Sequence, residues 1–322
     1  MSRKRAFIFG IYGQDGYYLS KLLLEKNYKV FGSFKSSNLE KHAQFNELGV
    51  ETTYCDIRDE DRVQFLLVNF SPHEVYNLAA ESSVIDSWTN PTSCINTNSF
   101  GVLNILNVLV NQKNNLADTR FFQASSSEMF GDTGLVPATE VTQMSPGSPY
   151  AVSKLLSHQL IDIYRQKYKC FAVSGILFNH ESPLRSEKFL SKKIASGVVK
   201  ILRGLSNEIR LGNMEIRRDW SFAGDTVNAA WSTLQLNSPT DFIIASGVSK
   251  TVRDFVDVAF NFVGLKDYEK YVKTDKNLFR SNEALIVQGN PAKARKLLHW
   301  IPKYSFENLI ELLIEGDLKN FR

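Results

Sequence analysis

The chain has 322 residues, of which 43% are hydrophobic and 22% charged, which is ordinary for a globular protein of one or two domains. Its formal net charge of +4 is spread along the sequence rather than clustered, so nucleic-acid binding is not indicated. The three cysteines, Cys55, Cys94 and Cys170, lack metal-ligand spacing and are too few for a disulfide framework. We therefore expect reduced thiols and no bound metal.

The N-terminal segment and the overall hydropathy bear on location. The apolar run in MSRKRAFIFG breaks at Gly10, too early for a signal peptide. We expect that no stretch approaches the roughly 20 apolar residues needed to cross a bilayer. We expect a cytoplasmic protein without a membrane partner.

Strand-like and helix-like segments alternate through the first half of the chain. The strand-like runs are RAFIFG, YKVFGSF, VETTYCD, EVYNLAA, RFFQASS and CFAVSGILFNH. The helical runs between them include YYLSKLLLEKN, TNSFGVLNILNVLVNQK and YAVSKLLSHQLIDIYRQKY. This alternation predicts an α/β fold with a doubly wound parallel sheet of the Rossmann type.

The alternation becomes irregular from about Phe178. We predict a cofactor-binding domain over residues 1–177 and a smaller substrate-binding lobe over residues 178–322. Some strands and helices of the second segment are expected to return to the first domain.

A glycine-rich turn follows the first predicted strand, in GIYGQDGYYLSKLLLE. Glycines at this point allow the backbone to approach a pyrophosphate, and the following helix presents free N–H groups to its charge. The Gly-x-x-Gly-x-x-Gly spacing resembles the extended branch of the short-chain dehydrogenase/reductase superfamily. The cofactor-binding residues predicted here are Gly10, Tyr12, Gly13, Gln14, Asp15 and Gly16.

The end of the second predicted strand indicates which nicotinamide nucleotide binds. The segment FGSFKSS has no carboxylate to hold the free ribose hydroxyls of NAD. Lys35 and Ser36, with Ser37, could instead bind a 2′-phosphate, so NADP is favoured over NAD. The alternative interpretation of this segment is an exposed polar loop. By similarity to the superfamily, further cofactor contacts are expected from Asp56, Ile57, Leu78, Ala79 and Ala80.

Tyr150 and Lys154 lie four residues apart in SPYAVSKLLSH, one turn along the same helix face. An ammonium group beside a phenol favours the phenolate, so Tyr150 could accept a hydroxyl proton. Such a pair alone is more often found on a surface, but here it follows a dinucleotide turn. Ser126, at the end of the QASSSE strand, would complete the triad, and Lys154 would also contact the cofactor.

Glu128 directly follows three serines in FQASSSEMFG, at the end of a predicted buried strand. Oxidation of a hydroxyl does not require this carboxylate. After oxidation at C4 of a sugar, however, the C5 proton becomes acidic, and a glutamate base there could drive loss of water from C6. The alternative interpretations are a helix N-cap and a salt-bridged loop residue.

Nearly the whole chain resembles GDP-mannose 4,6-dehydratases. The matching segments are GIYGQDGYYL, NLAAES, FFQASSSEMFG, SPYAVSK, GILFNHESPLR, RRDWSFAGD and LHWIPKYSFENLI. The resemblance implies that His180 and Arg185 help to hold NADP and that Asn179 faces the sugar nucleotide, as would Ser126 and Glu128. It also implies a set of residues along the nucleotide diphosphate, namely Lys193, Arg218, Arg280 and Glu283.

The chain departs from this family at several positions. Ser126 replaces a threonine, which keeps the hydroxyl group. Lys35 and Ser36 replace two arginines, and Ser93 replaces a tyrosine. Glu81 and Ser83 replace Gln and His. These differences leave both GDP-mannose and GDP-N-acetylglucosamine open as substrates.

The resulting functional hypothesis is a nucleotide-sugar 4,6-dehydratase, a hydro-lyase that recycles its NADP. The first alternative is a nucleotide-sugar reductase or epimerase of the same fold, in which Glu128 has no required role. The second is a non-catalytic NADP-binding sensor, which the presence of every acid and base residue disfavours. The family resemblance also implies a homodimer or homotetramer.

Overall fold

The computed structural model describes residues 3–279 and 283–320. Its strands are β1 (Arg5–Phe9), β2 (Lys29–Phe34), β3 (Glu51–Tyr54), β4 (Glu74–Asn77), β5 (Arg120–Ser126), β6 (Ala172–Leu177), β7 (Asn179–Glu181), β8 (Ile209–Leu211), β9 (Arg217–Phe222), β10 (Phe242–Ile244), β11 (Ser249–Thr251), β12 (Val272–Thr274) and β13 (Ile286–Val287). Its α-helices are α1 (Gln14–Glu25), α2 (Leu39–Glu47), α3 (Glu60–Phe70), α4 (Val84–Thr89), α5 (Pro91–Ile95), α6 (Gly101–Val110), α7 (Pro149–Tyr168), α8 (Leu190–Leu202), α9 (Ala223–Thr233), α10 (Val252–Phe262), α11 (Ala292–Leu298) and α12 (Phe306–Asn320).

The chain divides into two compact units. The first unit comprises the described parts of Met1–Met129, Gln143–Leu177 and Val227–Ile243. The second comprises the described parts of Phe130–Thr142, Phe178–Thr226 and Ile244–Arg322. One change of unit therefore falls between Leu177 and Phe178, and the chain returns to the first unit at Val227.

Within the described residues, the first unit is built on a seven-stranded sheet in the order β10-β6-β5-β4-β1-β2-β3. The strands from β6 to β3 in this order run parallel to their neighbours. In β1, Phe7 lies opposite Phe31 of β2 and Val75 of β4. The predicted Rossmann-type parallel sheet is confirmed.

The core of the first unit forms where apolar strand side chains meet α3 and α6. Phe7, Val75 and Phe121 pack there with Leu67 and Ile105. All five are at most 1% exposed. Because the strands are parallel, their carboxyl ends gather the segments predicted to bind cofactor at one edge of the sheet.

The segment Pro91–Val110 is helical throughout, with a π-helical turn at Asn96–Phe100 between α5 and α6. Its length and mean hydropathy of 1.2 match those of a membrane-spanning helix, so the expectation that no segment has this length and hydropathy is wrong. Within the described residues, 56% of its most apolar window is buried, and side chains such as Ile105 and Leu109 belong to the sheet core. These contacts are those of a core helix of a globular unit.

The second unit has its own apolar core. The core collects side chains from α8, α10 and α12, including Ile194, Phe255 and Leu313. Trp220 of β9 packs on Phe255 with ring centroids 5.4 Å apart. Strand β9 pairs antiparallel with β11 and parallel with β7 and β13. The β9 strand is therefore the organising element of this unit.

Asp219, in the RRDW segment of β9, has a structural role. This carboxylate is fully buried and accepts hydrogen bonds from the Ser246 backbone N–H and hydroxyl, both at 2.7 Å. It also accepts one from the Gly247 backbone N–H at 2.9 Å. Satisfying a buried carboxylate in this way fixes the loop between β10 and β11 to β9.

Candidate active site

The glycine-rich turn begins where β1 ends. Gly10 has φ +76°, and a Cβ atom there would lie 2.6 Å from the backbone nitrogen of Ala79. A Cβ atom on Gly16 would lie 2.1 Å from the carbonyl oxygen of Ile11. Neither position has room for a side chain. The turn is therefore compact, and α1 starts directly after Gly13, which leaves the first N–H groups of the helix available to an anion.

The loop after β4 lies against this turn. The Leu78 backbone N–H donates to the Phe9 carbonyl at 3.0 Å, and the Ala79 N–H donates to the Asn77 side chain at 3.2 Å. Asn77 in turn donates to Gln123 of β5 at 2.8 Å. This buried amide pair holds the predicted Leu78–Ala80 segment beside the glycine-rich turn.

Charged side chains surround the predicted adenosine contact Asp56. The Lys35 ammonium lies 3.6 Å from Asp56 and 3.9 Å from Glu81. Arg58 Nε lies 3.0 Å from both oxygens of Asp56, and Arg58 Nη2 lies 2.5 Å from Oδ2. Hydrogen bonding to Arg58 lowers the pKa of Asp56 to about 2. The sequence interpretation did not include Arg58 or Glu81 in the site, because neither belongs to the glycine-rich or catalytic spacing.

The neighbouring Ile57 is buried, and its carbonyl accepts a hydrogen bond from Asn104 of α6 at 3.0 Å. Ser36 lies in the loop between β2 and α2. Apart from Lys154, the predicted cofactor residues of the first unit therefore occupy the segments that follow β1, β2, β3 and β4. Lys154 lies on α7.

Tyr150 and Lys154 lie in the first turns of α7, which starts at Pro149. The Ser148 hydroxyl caps the helix by accepting a hydrogen bond from the Ala151 N–H at 3.1 Å. The Lys154 ammonium lies 5.8 Å from the Tyr150 ring centroid and donates to the Ala124 carbonyl of β5 at 2.9 Å. Burial lowers the pKa of Lys154 to about 8. The helix therefore brings a desolvated cation beside the phenol and onto the strand that carries Ser126.

Ser126 and Glu128 follow each other at the end of β5. Ser126 is the last residue of the strand, and its hydroxyl accepts a hydrogen bond from the Glu128 backbone N–H at 3.2 Å. Glu128 lies in a short 3₁₀ turn and is half-buried. Across residues 3–279 and 283–320, the Glu128 carboxylate forms neither a hydrogen bond nor an ion pair. The N-cap and salt-bridge interpretations of Glu128 are therefore not supported.

The sequence interpretation missed Asn98, which lies in the π-helical turn. Its side chain accepts a hydrogen bond from the Glu81 N–H at 2.9 Å and donates to the Glu81 carbonyl at 3.1 Å. It also donates to the Ser153 hydroxyl at 3.0 Å, beside Lys154. An asparagine inside an apolar helical run was the available signal. Asn98 joins the loop after β4 to the helix that carries the tyrosine and lysine.

The remaining predicted residues belong to the second unit. Asn179 and His180 begin β7, and the His180 Nδ1 lies 2.8 Å from the Phe178 carbonyl oxygen. Arg185 lies 3.1 Å from Glu181, and its guanidinium covers the Phe189 ring at 3.6 Å. These polar contacts fix the FNHESPLR segment.

Arg218 and Glu283 lie close together, as their shared role implied. Arg218 Nη2 is 3.8 Å from the Glu283 carboxylate, and Arg218 Nη1 donates to the Ala284 carbonyl at 2.9 Å. Lys193 is half-buried in the first turn of α8. Arg280 lies outside the described residues.

The described part of the chain contains no group of three or more His, Cys, Asp or Glu side chains that could hold a metal ion.

The chain is similar to known proteins along almost its full length. The family model described as GDP-mannose 4,6 dehydratase matches residues 7–313. GDP-mannose 4,6 dehydratase 1 of Arabidopsis thaliana is 39% identical, over 98% of this chain and 90% of that protein. GDP-mannose 4,6-dehydratase of Vibrio cholerae is 34% identical, over 99% of this chain and 95% of that protein.

Among solved structures, dTDP-glucose 4,6-dehydratase from Bacillus anthracis in complex with NAD superimposes with a TM-score of 0.85 at 20% identity. The match covers 98% of this chain and 97% of that chain. This similarity concerns the fold, whereas the family model and the relatives concern the sequence along almost its full length. The chain therefore belongs to the GDP-mannose 4,6-dehydratase family.

Proposed function

We propose that this protein is a hydro-lyase that converts GDP-mannose to its 4-keto-6-deoxy derivative. The observation that carries this proposal is the Glu128 carboxylate, which is half-buried and has no hydrogen-bond or ion-pair partner among the described residues, two positions after Ser126. Oxidation or reduction at C4 alone does not require a base at this position. The names of the relatives, at 34% and 39% identity, favour GDP-mannose over GDP-N-acetylglucosamine as the substrate.

The cofactor is proposed to be NADP. The turn at Gly10 and Gly16 fits a pyrophosphate, because a Cβ atom at either position would collide with backbone. Gly13 and the first turn of α1 would hold the phosphates, and Asp56 with the Leu78–Ala80 loop would hold the adenosine. When bound, NADP would supply the reversible hydride transfer from C4 to C6 of the sugar.

The residues of this chain supply the proton transfers. The buried Lys154 ammonium favours the Tyr150 phenolate, which takes the proton of the C4 hydroxyl. The Ser126 hydroxyl donates a hydrogen bond to the C4 oxygen. Glu128 removes the C5 proton, which is acidic beside the C4 ketone, and the C6 hydroxyl leaves as water after taking a proton from Glu128 or Ser126. When a hydride is added at C6, C5 takes up a proton that derives from solvent. The sugar loses one water in total.

Mass spectrometry of the products tests this proposal. Purified protein with GDP-mannose should give a sugar nucleotide lighter by one water while the total NADPH stays constant. GDP-N-acetylglucosamine in parallel reports on the second hexose. A product of unchanged mass would indicate an epimerase, and net NADPH consumption would indicate a reductase. Either result contradicts the dehydratase.

We also propose that the protein is a cytoplasmic homodimer or homotetramer. The family resemblance supports the assembly, and static light scattering of the purified protein distinguishes the two sizes from a monomer. Fractionation of the producing cells tests the location.

A further inference from the structure

The cation predicted to bind the NADP 2′-phosphate is already balanced by carboxylates. Lys35 lies between Asp56 at 3.6 Å and Glu81 at 3.9 Å, and Arg58 forms a bidentate pair with the same Asp56. These two cations and two carboxylates sum to zero charge. A phosphate dianion approaching Lys35 would therefore gain little from this cluster.

Lys41 is another cation in the part of the chain that follows β2. It lies in the first turn of α2, and its ammonium donates a hydrogen bond to the Tyr12 carbonyl inside the glycine-rich turn. Among the described residues, no carboxylate forms an ion pair with Lys41, and partial desolvation alone lowers its pKa. The Lys41 residue is exposed, so an anionic ligand can reach its ammonium group.

The surroundings of Lys41 keep it in position. The Asn38 side chain caps α2 by accepting a hydrogen bond from the Lys41 N–H at 2.9 Å. The Tyr12 ring stacks on Phe34, the last residue of β2, at 4.4 Å. The Tyr12 hydroxyl contacts His42 Nδ1 at 3.1 Å. The glycine-rich turn, the end of β2 and the start of α2 are thereby held together.

In dinucleotide-binding folds, the adenosine ribose lies near the end of the second strand, and a basic residue there accommodates a 2′-phosphate. We propose that Lys41 binds the 2′-phosphate and is the residue by which this protein discriminates NADP from NAD. This inference rests on the proposed use of NADP. It assigns to α2 a role that the sequence interpretation had given to Lys35 and Ser36.

Calorimetric titration of the purified protein with NADP⁺ and with NAD⁺ tests the assignment, using wild type, Lys41→Gln and Lys41→Arg. Lys21→Gln is the matched control, since Lys21 is an exposed lysine on α1. Lys41→Gln should weaken NADP⁺ binding at least about tenfold, the loss expected for one charge-assisted hydrogen bond to phosphate. Its NAD⁺ binding should stay unchanged. Lys41→Arg should keep the NADP⁺ preference, and Lys21→Gln should behave as wild type.

The outcomes separate this inference from the proposed cofactor. A wild type that binds NAD⁺ more tightly than NADP⁺ would contradict the NADP proposal and this inference with it. A wild-type preference for NADP⁺ that survives in Lys41→Gln would overturn only the assignment of Lys41. Equal losses for both nucleotides would also overturn it, because Lys41 would then act on the shape of the turn.

Discussion

Two glutamates at opposite edges of the same sheet have very different surroundings. Glu74 begins β4 and is 1% exposed. Its carboxylate accepts hydrogen bonds from the Tyr28 hydroxyl at 2.8 Å and the Tyr76 hydroxyl at 2.7 Å, and lies 3.4 Å from the Lys4 ammonium. Glu128, just beyond the end of β5, is half-buried and has no such partner among the described residues.

The difference shows how a structural and a chemical carboxylate can be told apart. Burial raises the pKa of both Tyr28 and Tyr76, so these phenols stay protonated and act as permanent donors to Glu74. A fully satisfied buried carboxylate stabilises the amino edge of the sheet. The Glu128 carboxylate, which has no partner among the described residues, remains available to take a proton from a ligand.

Tyr150→Phe, at the carboxyl edge, should have the largest effect on turnover. Tyr150→Phe removes the proton acceptor and keeps the ring, so turnover should fall by roughly 10²–10⁴ with cofactor binding retained. Steady-state kinetics together with titration of the cofactor measure both properties. A Tyr150→Phe protein with full activity would exclude the proposed role of this phenol.

The corresponding change at the amino edge is Glu74→Gln. The amide places donor hydrogens against the phenols, so the free energy of unfolding should fall by about 2–3 kcal/mol. Denaturant titration measures this loss, and the turnover of the folded fraction should match wild type. Unchanged stability would mean that the hydrogen bonds to Glu74 make no net contribution to the free energy of unfolding.

Tyr76→Phe should have a smaller effect on the same cluster. It removes one hydrogen bond to a buried charged acceptor, which costs about 1.5–2 kcal/mol. The same denaturant titration applies. Loss of activity without loss of stability in Tyr76→Phe would show that the two edges are not functionally separate.

The pH dependence of activity above neutrality should follow the ionisation of Lys154. Its pKa of about 8 is below the ordinary value of 10.5, so the free enzyme loses the cation as the pH rises past 8. We expect kcat/KM to decline about tenfold per unit above that pH.

The contribution of Lys154 to stability should change in the opposite direction. Between about pH 8 and 10.5 the unfolded chain binds more protons at Lys154 than the folded chain does. Stability from this group therefore rises with pH in that interval. Thermal unfolding of wild type and Lys154→Met across this range measures the difference, and identical pH dependence of the two proteins would contradict the low pKa.

Local spacing made much of the fold and site predictable. The turn at Gly10, Gly13 and Gly16 and the Tyr150–Lys154 pair each lie within one short segment. The alternating strand and helix pattern predicted the parallel sheet, which the structure confirms.

The remaining features depend on contacts between distant positions, which no local pattern reveals. Lys41 reaches Tyr12 across 29 residues, and Lys154 reaches Ala124 across 30. Residues 130–142 belong to the second unit because of contacts such as that of Thr133 with Ile286, which are 153 residues apart. The ion pair between Lys35 and Glu81 likewise forms only because the fold brings the segments after β2 and β4 together.

In the proposed reaction, Glu128 is the base that removes the C5 proton. The most direct test is the reaction of GDP-mannose in heavy water with wild type and with Glu128→Gln, followed by mass spectrometry and NMR of the recovered sugar nucleotide. Wild type should give dehydrated sugar with deuterium at C5, while Glu128→Gln should form this product roughly 10²–10⁴ more slowly, and the unreacted GDP-mannose recovered with it should carry no deuterium at C5. C5-deuterated product from Glu128→Gln at a rate near wild type would contradict the claim and make this carboxylate structural.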